Sequence, residues 1–324
     1  MGSIEVSVLC ATYNQVRYIK EALDSFLMQE TNFAFEVLVH DDASTDGTLE
    51  IVRQYASRYS NVELLDEREN QYSRGKGFRD FFMGHIKGRY VALCEGDDWW
   101  ISPNKLQNQF DYMESHPKCA ACAHGALIFD ASGNRCVGKI LPSGTAKDYS
   151  TDEIIVNNAP FSTNSLFYRV EFFQQPSVYM GWGIGDYPTC IWLSTQGSFH
   201  FNPEIMSAYR SNAQGSWSRK MRESKEFALK NDELYRTSLQ RFDQYSDYSY
   251  HKSVTYMLRE SIINSCVRCG DFSSIVSGDC AAVFNGYPLK RRVKIALECK
   301  APRISLAMER AFKKIKALLY FRNK

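Results

Sequence analysis

The sequence predicts an α/β fold: a Rossmann-like, mostly parallel sheet flanked by helices, followed by a helical C-terminal region. Three observations predict it. Between residues 4 and 130 short apolar runs alternate with helical patterns, the repeated βα unit that folds into parallel strands. The runs are almost continuously hydrophobic, as strands are when helices cover both faces of a sheet. From about Ser216 onward the patterns turn helical, broken near Gly270 and Gly286-Tyr287-Pro288.

The elements follow in order. IEVSVLC (residues 4–10) reads as the first strand and is followed by a helix from about Tyr18. FEVLVHD (35–41) is the second strand, with a helix after DASTDGT; VELLDE (62–67) is the third, with a helix through FRDFFMGHI (78–86). RYVALCE (89–95) is the fourth, with a helix from about Asn104. Beyond Ser132 Gly, Pro and polar residues thicken, and mixed strands and loops are expected to about Arg210. The chain is expected to divide into residues 1–215 and 216–324.

With 324 residues, 44% hydrophobic and 14% aromatic, the chain has the material for a large core plus an appended unit. It holds no apolar window of about 18 residues and opens without a charged and then apolar leader. It is therefore expected to be cytoplasmic and not membrane-spanning. Ten cysteines are scattered, several inside apolar strands, and are expected to be reduced. The Cys119/Cys122 and Cys266/Cys269 pairs lie too far apart to argue for zinc. The net charge of +2 hides an asymmetry. Residues 290–324 hold twelve Lys or Arg against two acids, leaving residues 1–289 at −8.

Ligands of parallel sheets bind at the carboxyl ends of strands, and three polar clusters are expected at such ends. CATYNQ (10–15) offers Thr12, Tyr13 and Asn14 to a base or ribose, although a polar strand-to-helix turn uses the same residues. VHDDASTDGT (39–48) ends in a credible helix start, which leaves Asp41 and Asp42 unexplained. Adjacent carboxylates at the end of a buried strand need donors or positive charge. VALCEGDDWW (91–100) places Glu95, Asp97 and Asp98 within four residues, oxygen ligands of the kind Mg²⁺ or Mn²⁺ takes when it also holds a diphosphate. An acidic loop before the next helix is the plainer reading.

Two further clusters lie downstream. In GWGIGDYPTCIWL (181–193) Asp186 is either an N-cap or a general base. In AYRSNAQGSWS (208–218) Arg210 is followed by small and polar residues expected to form a mobile loop, from which a cation could grip a diphosphate. Arg68, Arg74, Lys76 and Lys105 are further cationic candidates, Arg74 being counted with the nucleotide site. Trp99, Trp100, Trp182 and Trp217 are candidates for stacking on sugar rings.

Taken together, ATYNQ, HDDASTDGT and above all ALCEGDDWWISPNKLQNQ resemble the family 2 glycosyltransferases, closely over residues 4–130 and more loosely over 155–218. The resemblance implies a GT-A fold. It implies that Thr12, Tyr13 and Asp42 hold the nucleoside, that Asp97 and Asp98 bind Mn²⁺ or Mg²⁺ with Asp98 the more direct ligand, and that the sugar is transferred with inversion by direct displacement. Asp186 matches the family's base only partly, because Gly185 stands where the family usually has Glu. YRSNAQGSWS is similar to a loop that closes over the donor, with Asn212 near where a His is common.

Residues 303–321 form a basic amphipathic pattern suited either to an anionic membrane surface or to packing on the body. The expected function is transfer of a sugar from a nucleotide-sugar donor, UDP-linked, to a glycan or lipid-linked acceptor at the inner face of the cell membrane. A non-catalytic subunit of an envelope-glycan assembly complex is the alternative. A sugar nucleotidyltransferase is the less favoured alternative, because CATYNQ is not the glycine-rich loop that it, or a dehydrogenase, would need after the first strand. Nucleic acid is not expected as a partner.

Overall fold

Strand β1 (Ile4–Thr12) is the axis of the sheet. Its Val6, Val8 and Cys10 are wholly buried, which an apolar run can be only between two layers of helices. Helix α1 (Ile19–Leu27) covers one side, with Ile19, Ala22, Leu23 and Phe26 at helical spacing and no exposed surface. Burying each large member of that stripe stabilises by about 1.5–3 kcal/mol. The computed structural model describes residues 3–132, 134–173, 186–304 and 308.

Strand β2 (Ala34–Asp41), helix α2 (Thr48–Arg58) and strand β3 (Val62–Asp66) continue the βα pattern. Gly47 precedes α2 at φ 104°, a backbone conformation that favours glycine. Helix α3 is confined to Phe78–Phe82, shorter than the sequence suggested. Met83 leaves the helical region and Gly84 follows at φ 86°, so the pattern through Ile86 is cut. Strand β4 (Tyr90–Leu93) pairs parallel with β1, and a two-residue strand β5 (Trp99–Trp100) precedes helix α4 (Lys105–Ser115).

The remainder of the sheet is built from β6 (Cys119–Asp130), β7 (Arg135–Ile140), β8 (Lys147–Tyr149), β9 (Phe167–Arg169) and β10 (Ser198–Ser211). Helices α5 (Thr151–Val156) and α6 (Asp186–Gln196) lie between these strands in the chain. The strand order is β3-β2-β1-β4-β9-β6-β10-β5, with β7 on β6 and β8 on β10. Strand β9 is antiparallel to both β4 and β6. The chain leaves β1 toward β2 and β3 and returns on the other side as β4. The switch point therefore falls between β1 and β4, and ligands of such sheets bind beyond the carboxyl ends at that point.

Two compact units are present, residues 1–223 and 224–324. Helix α7 (Trp217–Glu223) belongs to the first. The second contains α8 (Lys225–Tyr245), α9 (His251–Cys269), α10 (Phe272–Val276), α11 (Cys280–Gly286) and α12 (Leu289–Lys300). Ile263, Ile275, Phe284, Tyr287 and Ile295 form its core. No helix among the described residues is long and apolar enough to cross a membrane. The 303–321 segment, apart from Arg303, Ile304 and Met308, lies outside the described residues, as do Trp182 and Gly185.

Candidate active site

The loop after β1 and the loop after β2 are sewn together. Asn14 adopts φ 52°; its amide N–H donates to Ser44 Oγ at 2.9 Å and its Oδ1 accepts from the Thr45 amide at 2.9 Å. Gln15 N donates to Thr48 Oγ1 at 2.8 Å and Val16 N to Asp46 Oδ2 at 3.1 Å. Asn14 is thus a tie between loops, whereas Tyr13 is exposed and Thr12 donates to Gln15 Oε1 at 2.8 Å.

Asp41 and Asp42 meet different fates. Asp41 is fully buried and accepts from Ser44 N at 2.9 Å, and burial pushes its carboxyl up. Asp42 accepts from the Gln71 amide at 2.6 Å and the Tyr72 amide at 3.2 Å, which fastens the loop after β3 to the site. That loop walls an open cavity of about 420 Å³ lined by Asp66, Glu67, Arg68, Glu69, Gln71 and Arg74. Arg74 is exposed there and pairs with Glu69.

The acidic loop after β4 is pressed against the end of β1. Gly96 N donates to Ala11 O at 3.0 Å. A Cβ on Gly96 would stand 2.5 Å from Gln15 Oε1 and 2.9 Å from Thr12 Cβ, so glycine is required by close approach. Asp98 is buried, its Oδ1 accepting from Arg210 N at 2.7 Å and its Oδ2 from Asn164 Nδ2 at 2.9 Å. Burial, and then the charge of Asp97, push Asp98 well above the usual carboxylate range. Glu95 is likewise pushed well up by burial, and next by the facing charge of Asp186. Asp97 is also raised by burial.

Asp186 opens α6, and Thr163 donates its hydroxyl to Asp186 Oδ2. Burial raises its pKa as well. One short turn, residues 163–165, therefore holds both the candidate metal ligand, through Asn164, and the candidate base, through Thr163. Asn164 is itself fully buried. Its Oδ1 accepts from Ser162 and Ser207, both at 2.7 Å, and its Nδ2 also reaches Ala208 O at 2.9 Å. Sequence reasoning missed both residues. The polar run STNS between Phe161 and Leu166 was the available signal.

Arg210 corrects an expectation. It lies within β10 and not on a mobile loop, and it is buried. Its guanidinium lies 4.5 Å from the Tyr18 ring centre and 4.4 Å from that of Trp99, donates to Asp97 O at 2.7 Å and pairs with Glu21 at 2.5 Å. Its Nε and Nη2 thus already have partners. Lys105 is out of reach of a phosphate. It is fully buried with Nζ 4.0 Å from the Trp100 ring, and burial pulls its pKa down to about 7. Trp100 is core, while Trp217 is exposed.

The residues fit a hard cation of a particular kind. Among the described residues no three His, Cys, Asp or Glu side chains converge on one point. Mg²⁺ and similar ions commonly take one or two carboxylates and complete their shell with substrate phosphates. Asp97 and Asp98 supply such oxygens beside the Arg210 cation, which Glu21 already engages.

Comparison with known proteins bears on the same segments. The model of the family described as Glycosyl transferase family 2 matches residues 7–170, half of the chain. An uncharacterized protein of Mycobacterium tuberculosis is 34% identical over 221 residues, 65% of this chain and 60% of that one. This chain thus spans less than two thirds of that relative's length. The poly(ribitol-phosphate) beta-N-acetylglucosaminyltransferase TarS of Staphylococcus aureus is 27% identical over 54% of this chain and 29% of its own length. TarS residues 1–349, solved with UDP-GlcNAc, superpose with a TM-score of 0.58 at 19% identity over 91% of this chain and 79% of that one. The mannosyltransferase PcManGT of Pyrobaculum calidifontis, solved with GDP-Man and Mn²⁺, gives 0.51 at 17% over 96% and 88%. These likenesses show the GT-A fold.

Proposed function

The chain belongs to glycosyl transferase family 2, and on that premise we propose that it moves a sugar from a UDP-sugar to an acceptor hydroxyl, inverting the anomeric carbon. The acceptor in this reading is a lipid-linked or growing cell-surface glycan, met at the cytoplasmic face of the membrane. One observation carries the reading: Glu95, Asp97, Asp98 and Asp186 gather beside the switch point of the sheet, each raised by burial. Arg210, beside them, is already engaged by Glu21.

In this reading Asp97 and Asp98 hold Mn²⁺ or Mg²⁺, which when bound acts as a Lewis acid on the leaving diphosphate. Arg210 N and Asn164 fix the two oxygens of Asp98, so the ligand is positioned before the donor arrives. Thr12, Tyr13, Asn14 and Asp42 form the nucleoside side, with Arg74 on the wall of the neighbouring cavity. Arg210 holds the acidic loop in place of gripping phosphate. Asp186 removes the acceptor proton, oriented by the Thr163 hydroxyl. A carboxylate with a raised pKa is the better base near neutral pH. The choice of UDP is supported by TarS, a relative solved with UDP-GlcNAc.

A thermal-shift titration of UDP, GDP, dTDP and CMP, with and without Mn²⁺, tests the donor reading. UDP is expected to raise the melting temperature only with metal, and Asp98→Asn to lose the response. At a hundredfold excess over Kd the gain is about 2.7 kcal/mol. If no nucleotide stabilises the protein, the reading fails. Inversion is checked by NMR of the sugar released from the donor, whose anomeric configuration is expected to be opposite to the donor's.

A further inference from the structure

We propose that the outward face of α12 docks on an anionic lipid bilayer. The helix has one apolar face already satisfied. Ile295 is buried and, with Cys299, packs into the core of the second unit around Phe284 and Tyr287. Arg291 lies on that side too, 3.7 Å from the Tyr287 ring centre and 2.7 Å from Glu260. At 100° per residue these contacts fix which side is outward. Leu289, Val293 and Leu297 recur at four-residue spacing on it.

Leu289 is 74% exposed and Val293 49%, while Leu297 is half-buried. A helix that has buried one apolar stripe and presents another to water is unusual for a monomer surface. Lys290 and Lys294 border the outward stripe, and exposed Ile304 and Met308 follow beyond the helix end. α12 carries five Lys or Arg against one acid, Glu298. Leucine and valine edged by lysine is the pattern of a helix lying in the plane of a bilayer surface.

Charge decides between occupants. A second copy of this chain on the same face would set Lys290 and Lys294 against the same two cations. An anionic lipid surface removes that repulsion and accepts the apolar stripe as well. The positive charge is also local, since residues 1–289 carry −8, so the attraction belongs to this end of the chain and not to the molecule as a whole.

The inference does not depend on the transfer reading and is tested apart from it, by co-sedimentation of the full chain with vesicles. Phosphatidylcholine vesicles containing phosphatidylglycerol are expected to bind it, pure phosphatidylcholine vesicles to bind it weakly, and added salt to weaken the first. Lys290→Glu/Lys294→Glu is expected to lower partition about tenfold or more. Leu289→Asp/Val293→Asp, at solvent-exposed positions, is expected to do the same, with an unchanged melting temperature and unchanged donor hydrolysis in solution. If both double variants bind anionic vesicles as the parent does, or if the parent binds none, the proposal is overturned. It is equally overturned if the leucine and valine changes turn a dimer into a monomer without affecting vesicles.

Discussion

The two ends of one sheet treat buried acid in opposite ways. At the amino end, Glu36 is almost fully buried beside β1. It accepts from Ser7 Oγ at 2.6 Å and the Lys87 amide at 2.8 Å, and pairs with Lys87 Nζ at 3.0 Å. Every oxygen has a partner, and the group joins β1, β2 and the entry to β4. At the carboxyl end burial raises Glu95, Asp97, Asp98 and Asp186, and the charge of neighbouring acids raises Glu95 and Asp98 further. The first arrangement strengthens the fold. The second leaves charge for a ligand to meet, which is how a site differs from a scaffold.

That contrast can be broken most severely at the carboxyl end. Asp98→Ala is expected to cut donor turnover about a thousandfold, measured as nucleotide release, with the circular dichroism spectrum retained. Asp186→Asn is expected to lower kcat by about 10²–10⁴ with little change in KM. Because the pKa of Asp186 is raised, it is protonated and inactive as a base at lower pH. Activity should therefore rise with pH through that raised pKa, and Asp186→Asn should abolish the acid limb of the profile.

Smaller effects sharpen the comparison. Asn164→Ala strips Asp98 of one donor and is expected to weaken metal-dependent stabilisation about 10–100-fold, read as a shifted Mn²⁺ titration. Glu36→Ala at the other end is expected to cost about 2 kcal/mol of stability while leaving metal response and kcat near the parent's. The smallest change has the opposite sign. Glu95 binds its proton more tightly folded than unfolded, so it destabilises the fold increasingly as pH rises from the ordinary carboxylate range to its raised pKa. Glu95→Gln should therefore raise the melting temperature of the ligand-free protein near neutral pH by about 2–4 °C and do so less at acid pH. A lowered melting temperature there would erase the distinction between the two ends.

The parts legible in the sequence were those with a local signature. The apolar runs around Val8, Val37 and Val91 announce buried parallel strands, and Asp97-Asp98 after one of them marks the candidate site. What escaped depends on partners distant in the chain. Asn164 reaches Asp98 across 66 residues and Thr163 reaches Asp186 across 23, and no periodicity records either. Arg210 looked like a loop cation because small residues follow it. Its neighbours Tyr18, Trp99 and Glu21 come from two earlier segments. The vague stretch after Ser132 contains β9, three residues long, and β10, whose pairing with β6 shifts register near Asn202 and Ile205. Such irregular strands blur an alternating pattern.

The pin formed by Arg210 has a consequence for exchanging parts between proteins. Its partner Glu21 lies 189 residues earlier, on the far side of the acidic loop it also touches. A hybrid that imports a foreign first hundred residues to change donor preference, without matching Glu21, Tyr18 and Trp99 to Arg210, would strand a buried guanidinium. On the proposed function, donor preference and the last strand of the first unit would therefore be inherited as one block.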